Sequence, residues 1–308
     1  MKITLAFTIY NKENWVDSIL RSWIENAFDK SNLEIIIVFD DLKDQSELIA
    51  KRTLENLNVY FKFLYANDKH EIFCNRLALE SSSGDYIIFI QDDNWMYDKN
   101  WDTTLLRTLN YYDRNEGVIS FLAGAEIIKY NYYIDFAFPK LKHLIKSLIF
   151  YKSYVKVFFP IFRFKRLESN RKEKKENFSV HKIKSLPIGI WEVHLGTRPF
   201  CIERKKLIKL DGLDKVFMPH TADDVDLSLK CINSGYKNLY IPYNLKNIST
   251  IGDNELHGEK FDQFQKGYSI CFQRHKKLIK ELKSCEINEL ISLSIDENNN
   301  SLKINNYE

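Results

Sequence analysis

DYIIFIQDDN, Asp85 to Asn94, is the stretch from which the fold can be read. It follows Gly84, runs apolar from Tyr86 to Ile90, and stops on adjacent carboxylates, Asp92 and Asp93. A short apolar run bounded by turn chemistry predicts a strand buried on both faces of a parallel sheet. In open α/β sheets ligands bind beyond the carboxyl ends of the strands, where this pair falls. Two ionised carboxylates about 4 Å apart repel by roughly 4 kcal/mol at an effective dielectric of 20, so the pair favours a nearby cation. The residues point to a site for metal and phosphate.

Outward from this strand the chain alternates. Upstream, Ile3 to Tyr10 and Glu34 to Asp41 read as strands, and so does the run from Val59 to Tyr65. Between them lie a helix with Trp15, Ile19, Leu20, Trp23 and Ile24 on one face, a helix from Asp44 to Leu57, and a helix from Glu71 to Ser81. Strands alternating with helices of this length predict an α/β fold with a mostly parallel, doubly wound central sheet flanked by helices. The second strand ends on Asp40 and Asp41 as the fourth ends on Asp92 and Asp93, which predicts two neighbouring carboxyl ends lining one crevice. Downstream come a helix near Tyr97 to Tyr112 and a strand near Val118 to Leu122. Further on are a strand near Arg198 to Ile202, and a helix opened by Asp223 and Asp224 and stopped near Gly235. A strand from Lys237 to Ile241 follows, then a helix near Phe261 to Leu282 and a polar tail that reads as a hairpin or as disorder. Acids at a helix N-terminus are stabilised by its dipole, but three in four positions (Asp223, Asp224, Asp226) exceed what capping needs.

No GxGxxG follows a strand and no GxxxxGK[ST] occurs, which disfavours dinucleotide-binding and P-loop readings. Phosphates beside several carboxylates then require a divalent bridge, and hard oxygen ligands suit Mg²⁺ or Mn²⁺. The 308 residues, 44% hydrophobic and 28% charged, are those of a globular protein with a sizeable core. Five scattered cysteines (Cys74, Cys201, Cys231, Cys271, Cys285) without a CxxC pair argue for a reducing compartment and against a zinc site. With no signal-peptide pattern and no apolar run of about 18 residues, the expected location is cytoplasmic.

The net charge of +3 is uneven: residues 140–184 hold 14 Lys/Arg against 3 Asp/Glu, which leaves the rest of the chain acidic. Within this insert (131–185), Leu141, Leu144, Ile145 and Leu148 fall at helical spacing, and aromatics from Phe150 to Phe164 interleave with lysines. Such a segment fits a helix lying on an anionic membrane surface, which would make the protein peripheral at the inner face. It equally fits a helical excursion packed on the main sheet. Stacking aromatics can bind single strands, but no recognised nucleic-acid module surrounds these, and no nucleic-acid partner is expected.

Four motifs in order, TIYNK (Thr8 to Lys12), VFDD (Val38 to Asp41), IFIQDDN (Ile88 to Asn94) and ADDVDLSLKCINSGYKNLYIP (Ala222 to Pro242), give the chain its resemblance to the family 2 glycosyltransferases. These are inverting enzymes with the GT-A fold. The resemblance covers roughly residues 1–125 and 186–260. It implies a GT-A domain over 1–260, with a C-terminal helix and polar tail over 261–308. It implies a nucleotide-sugar donor, UDP-linked by default, a glycan or lipid-linked acceptor in surface polysaccharide or glycolipid synthesis, and Mn²⁺ or Mg²⁺ as cofactor. Residue by residue, it gives Thr8 and Tyr10 contacts to base and ribose, Asp41 the base, Asp92 the ribose, and Asp93 the metal. Asp224 matches the family's catalytic base, with Asp223 before it. His257 falls where some members carry a histidine near the metal, and Trp191 where relatives present an aromatic residue to the acceptor.

Three departures stand out: Gln91 replaces the first acid of the usual DxD, Leu42 and Lys43 replace a Gly-Ser pair, and Asp223 replaces Glu. Only Gln91 bears directly on metal affinity, and one Asp with diphosphate and waters still binds Mg²⁺ or Mn²⁺. Two competing readings are a non-catalytic nucleotide-binding scaffold, since folds outlive their chemistry, and a sugar-phosphate nucleotidyltransferase. The latter should carry a Gly-rich basic loop after the first strand, where this chain has Tyr10-Asn11-Lys12-Glu13.

Overall fold

The computed structural model describes residues 1–121, 190–218, 221–247, 259–284, 291–296 and 301–306. The basic insert and His257 lie outside the described residues.

The first half alternates as its apolar runs predict: β1 (Ile3–Ile9), α1 (Val16–Ile24), β2 (Leu33–Asp40), α2 (Ser46–Leu57), β3 (Tyr60–Ala66), α3 (His70–Ser81) and β4 (Tyr86–Gln91). Then come β5 (Asn94–Met96), α4 (Trp101–Tyr112) and β6 (Glu116–Ser120). The second half supplies β7 (Ile190–Val193), β8 (Phe200–Glu203), α5 (Arg204–Lys209), α6 (Asp223–Asn233), β9 (Lys237–Tyr240) and β10 (Leu245–Asn247). It ends with α7 (Glu259–Ser284) and the antiparallel hairpin β11 (Ile291–Asp296) and β12 (Ser301–Asn306).

Ten of these strands form one sheet in the order β12-β11-β7-β9-β6-β8-β4-β1-β2-β3. The run β4-β1-β2-β3 is wholly parallel, and β6 and β9 are parallel too, while β8, β7 and the hairpin enter antiparallel. The segments after residue 260 therefore extend the same sheet and core; Cys271 and Ile279 of α7 pack with Leu227 and Leu229 of α6.

Successive strand residues face opposite sides, and here both sides are covered. Leu5, Phe7, Ile35, Ile37, Ile88 and Ile90 face α1, α2 and α4. Ala6, Ile36, Val38, Ile87 and Phe89 face α3, α5, α6 and α7. In α1 the buried residues Val16, Ile19, Leu20, Trp23 and Ile24 recur at the helical period, which is why that stretch is a helix with one apolar stripe. Gly84 is required by a close approach: a Cβ there would lie 2.5 Å from Thr4 Oγ1.

Three strands escape the sequence pattern: β5, β7 and β10. Residues 94–96 form β5, paired antiparallel with β10, instead of leading into a helix from Tyr97. Asn100 sits at φ +57°, in the left-handed region, so the helix starts only at Trp101. Among the described residues no helix is long and apolar enough to cross a membrane.

From β1 the chain steps outward to β2 and β3, then returns to lay β4 on the other side of β1. The order reverses between β1 and β4, and ligands bind at such switch points, beyond the carboxyl ends. The two Asp pairs are not on adjacent strands as the sequence reading expected: β1 lies between β2 and β4, so Tyr10 to Lys12 stand between them.

Candidate active site

At the end of β4, Asp92 turns back toward β1. Its Oδ2 accepts a hydrogen bond from the Tyr10 amide at 2.9 Å and lies 3.7 Å from the buried Lys12 ammonium. Burial pushes the Asp92 carboxyl up to about 7, against the pull of Lys12 and the Tyr10 amide; Asp93 and Glu71 push it further up. Asp93 Oδ1 accepts from Asn94 Nδ2 at 2.6 Å. Asn94 is itself fixed, because its carbonyl takes the Trp23 indole N–H at 3.0 Å. β5 is further tied to α1 by Ser22 on the Met96 amide and by Asn26 on the Met96 carbonyl. The loop bearing the two carboxylates is thus pinned to a buried helix.

The β2 side is built separately. Asp40 is buried and accepts the amides of Lys69 and His70 at 2.9 and 2.8 Å, so it organises the turn into α3. Asp41 stands at φ +50° and pairs with Lys43, while its carbonyl accepts from Asn11 at 3.1 Å. Asn11 Oδ1 in turn accepts the Lys43 amide at 2.7 Å, which clips the β1 and β2 ends together. Thr8 is half-buried at the end of β1, its hydroxyl 3.3 Å from Asn75 Oδ1. Tyr10 is exposed.

The remaining acids arrive on α6. Ala222, at φ +52°, turns the chain so that Asp223, Asp224 and Asp226 occupy the first helical turn, each facing a different neighbour. Asp226 faces α7: its Oδ1 meets His275 Nε2 at 2.8 Å and Arg274 at 2.9 Å, and its Oδ2 meets Lys230 at 2.9 Å. Burial disfavours that charge, but the His275 and Lys230 bonds outweigh it and hold the carboxyl below the usual range. Asp226, Cys271 and His275 offer ligand atoms within 4.8 Å of one another, yet Arg274 and Lys230 already neutralise this acid. Asp223, 3% exposed, is bonded through both oxygens by Arg198. Asp224 is left partly open, its carboxylate accepting only the amide of its neighbour Val225 among the described residues, at 2.8 Å. Burial and the adjacent Asp223 push its carboxyl up to about 7, against the pull of Arg198.

Glu71 and Arg198 were missed from sequence, and they join the two halves. Arg198 Nε lies 3.3 Å from Glu71 Oε1, and burial raises the Glu71 carboxyl against the pull of Arg198. The Glu71 charge reaches both Asp92 and Asp224. Glu71 looked like an ordinary acid in the first turn of α3, and only its place just beyond the end of β3 could have flagged it. Trp191 lies in β7, its backbone opposite Tyr240 and Ser292. His257 is outside the described residues.

Among the described residues, five carboxylates (Glu71, Asp92, Asp93, Asp223, Asp224) thus share their surroundings with two cationic side chains, Lys12 and Arg198. Burial is the first cause of the raised carboxyls of Glu71, Asp92 and Asp224, the neighbouring acids add to it, and the excess of carboxylates over cations leaves a deficit of positive charge. A divalent cation on the hard oxygens at the β4 end fits that deficit. With one partly open, raised carboxyl on α6, the arrangement can bind a diphosphate through metal and take a proton from a hydroxyl.

The sequence profile described as Glycosyl transferase family 2 matches residues 4–166, a little over half of the chain. The chain belongs to this family. Over 96 residues it is 25% identical to the poly(ribitol-phosphate) beta-N-acetylglucosaminyltransferase TarS of Staphylococcus aureus, an alignment covering 31% of this chain and 17% of that protein. The chain therefore spans only a small part of the length of that relative. Among solved structures, S. aureus TarS in complex with UDP-GlcNAc superposes with a TM-score of 0.53 at 14% identity, covering 91% of this chain and 70% of that one. GalNAc-T7 with UDP, GalNAc and Mn²⁺ gives a TM-score of 0.59 at 10% identity, covering 91% and 50%. These likenesses establish the family 2 chain as a GT-A fold with a mostly parallel central sheet.

Proposed function

We propose that the chain is an inverting glycosyltransferase that moves a sugar from a nucleoside diphosphate sugar, UDP-linked by default, to an acceptor hydroxyl. The observation that carries this reading is Asp224: a partly open carboxyl at a helix N-terminus, raised to about 7 and reached by the same Glu71 charge that reaches Asp92 at the β4 end. A base with its pKa near working pH is matched to taking a proton from a hydroxyl, a role that contributes about 10²–10⁴-fold.

In this reading Thr8, Tyr10 and Asp41 hold the nucleoside, Asp92 the ribose, and Asp93 the divalent cation, Mn²⁺ or Mg²⁺. That cation supplies neutralisation of the charge gathering on the leaving diphosphate. Asp224 takes the acceptor proton from the face opposite the leaving group, which inverts the anomeric centre. Asp223 and Trp191 lie on the acceptor side, and His257 is a further metal ligand. The acceptor is a glycan or lipid-linked sugar in surface polysaccharide or glycolipid synthesis. The TarS relative, named for acting on poly(ribitol-phosphate) with N-acetylglucosamine, supports a polymeric acceptor. The basic insert at 140–184 would set the enzyme against an anionic membrane on the cytoplasmic side. Liposome flotation of the chain with and without residues 140–184 tests that part; equal flotation removes it.

The test of the whole is a thermal-shift panel of nucleotide sugars with and without Mn²⁺, followed by turnover of each binder. A ligand that binds the native state raises its apparent stability. A metal-dependent shift with UDP-sugars and release of UDP supports the reading. Binding without turnover on any acceptor would favour the non-catalytic scaffold instead.

A further inference from the structure

Arg198 is a deeply enclosed cation near the crevice, its side chain 7% exposed. A buried guanidinium survives desolvation only when its donors are met by charge and hydrogen bonds. Here Asp223 takes Nη1 and Nη2, Glu71 faces Nε at 3.3 Å, and the Phe200 ring lies 5.5 Å from Cζ. The fork geometry of arginine suits two-oxygen capture of one carboxylate, and Asp223 fills that role. Asp224, its neighbour in the chain, feels Arg198 electrostatically but is held by the Val225 amide.

We propose that Arg198 and Glu71 are positioning residues for the base: Asp223 occupies the guanidinium fork and Glu71 sets a second negative charge 3.3 Å from Nε, fixing the first turn of α6 while keeping the arginine from capturing Asp224. This rests on the transferase reading and adds to it a reason for two consecutive acids. Asp223 serves as the occupant of Arg198, so that Asp224 stays available as a base. Removal of Asp223 alone leaves Arg198 with an empty fork one residue from Asp224, and the base is quenched as an ion pair. Removal of Arg198 alone loosens the turn but quenches nothing. Removal of both therefore costs less than the two losses combined.

The experiment measures UDP release from UDP-GlcNAc with Mn²⁺ by the full chain, water serving as the acceptor. The donor C1–O bond breaks and UDP leaves with the electron pair; the water oxygen bonds to C1 and its proton passes to Asp224. Parent, Asp223→Asn, Arg198→Met and the double variant form the cycle. Contacting residues give non-additive cycles, and the expected losses in kcat are about 100-fold for Asp223→Asn and about 10-fold for Arg198→Met. The double variant should lose about 10-fold, with donor KM within about twofold throughout. Additive losses near 1,000-fold, or parental kcat in Arg198→Met, overturn the proposal. Should Arg198→Met fail to fold, Arg198→Lys replaces it; it keeps the charge without the fork and should fall between parent and Asp223→Asn. A parent that binds UDP but releases none from the donor removes the transferase reading instead. The brace is then read from hydrogen exchange at the amides of residues 223–226, expected to speed about tenfold in Arg198→Met. Unchanged exchange there overturns the proposal on its own.

Discussion

Arg198 bonds both oxygens of Asp223 inside the protein, one residue from the partly open carboxyl of Asp224. The pair separates two consecutive acids into different states, one locked in an ion pair and one raised toward neutral pH. The Asp224 value of about 7 lies well above the value of about 3.9 for an unfolded aspartate. In the free enzyme, kcat/KM should therefore rise with pH through about 7 with the slope of one proton, provided Asp224 acts as base. The groups facing it are Asp223, Arg198 and Glu71. A flat profile from pH 5 to pH 9 would assign the base elsewhere.

The same shift has a consequence for stability. A carboxyl whose folded pKa exceeds its unfolded value costs the folded state more as pH rises between the two, and the full cost is present above about 7. Asp224→Asn should therefore melt higher than the parent by a few degrees at pH 8. The gain should shrink as pH falls from 7 and vanish below about 4. Scanning calorimetry of both proteins at pH 8 and pH 4 reads the difference; a variant that melts lower at pH 8 contradicts the assigned burial.

Asp226 predicts the opposite sign. It meets His275, Arg274 and Lys230, and its carboxyl is held below the usual range, so its contribution is present above about pH 4 and lost as pH falls. Replacing one partner of a buried ion pair costs about 3–5 kcal/mol, because the remaining charge loses its compensation. Asp226→Ala should lose an amount of that order in urea at pH 7 and much less at pH 3. Equal losses at both pH values would mean that packing, and not charge, joins α6 to α7.

Much of the scaffold was legible because it rests on local regularities. β1, β2 and β4 are apolar runs covered on both faces, α1 is a stripe at helical spacing, and α6 stops where Gly235 reaches φ +82°. What was not legible depends on distant partners. β5 exists because residues 94–96 meet 245–247, and nothing within three residues announces that pairing. Asp40 resembled half of a ligand pair until its acceptor role for two α3 amides was visible. Glu71 and Arg198 are 127 positions apart, so neither could be seen as the other's partner. The acids of the site were readable one by one. Their division into paired, capping and open groups was not.

The Asp93 assignment is tested by metal dependence. Asp93→Ala should bind UDP about equally with Mn²⁺ and with EDTA, while the parent binds more tightly with Mn²⁺; calorimetric titration measures both. A variant with undiminished Mn²⁺ dependence would move the cation to other ligands.

The central claim is that Asp224 removes the acceptor proton. The most direct measurement is single-turnover sugar transfer by Asp224→Asn, beside calorimetric binding of UDP with Mn²⁺. Transfer should fall by about 10²–10⁴-fold while the dissociation constant stays within about twofold of the parent. Transfer at the parental rate with the same affinity would contradict it.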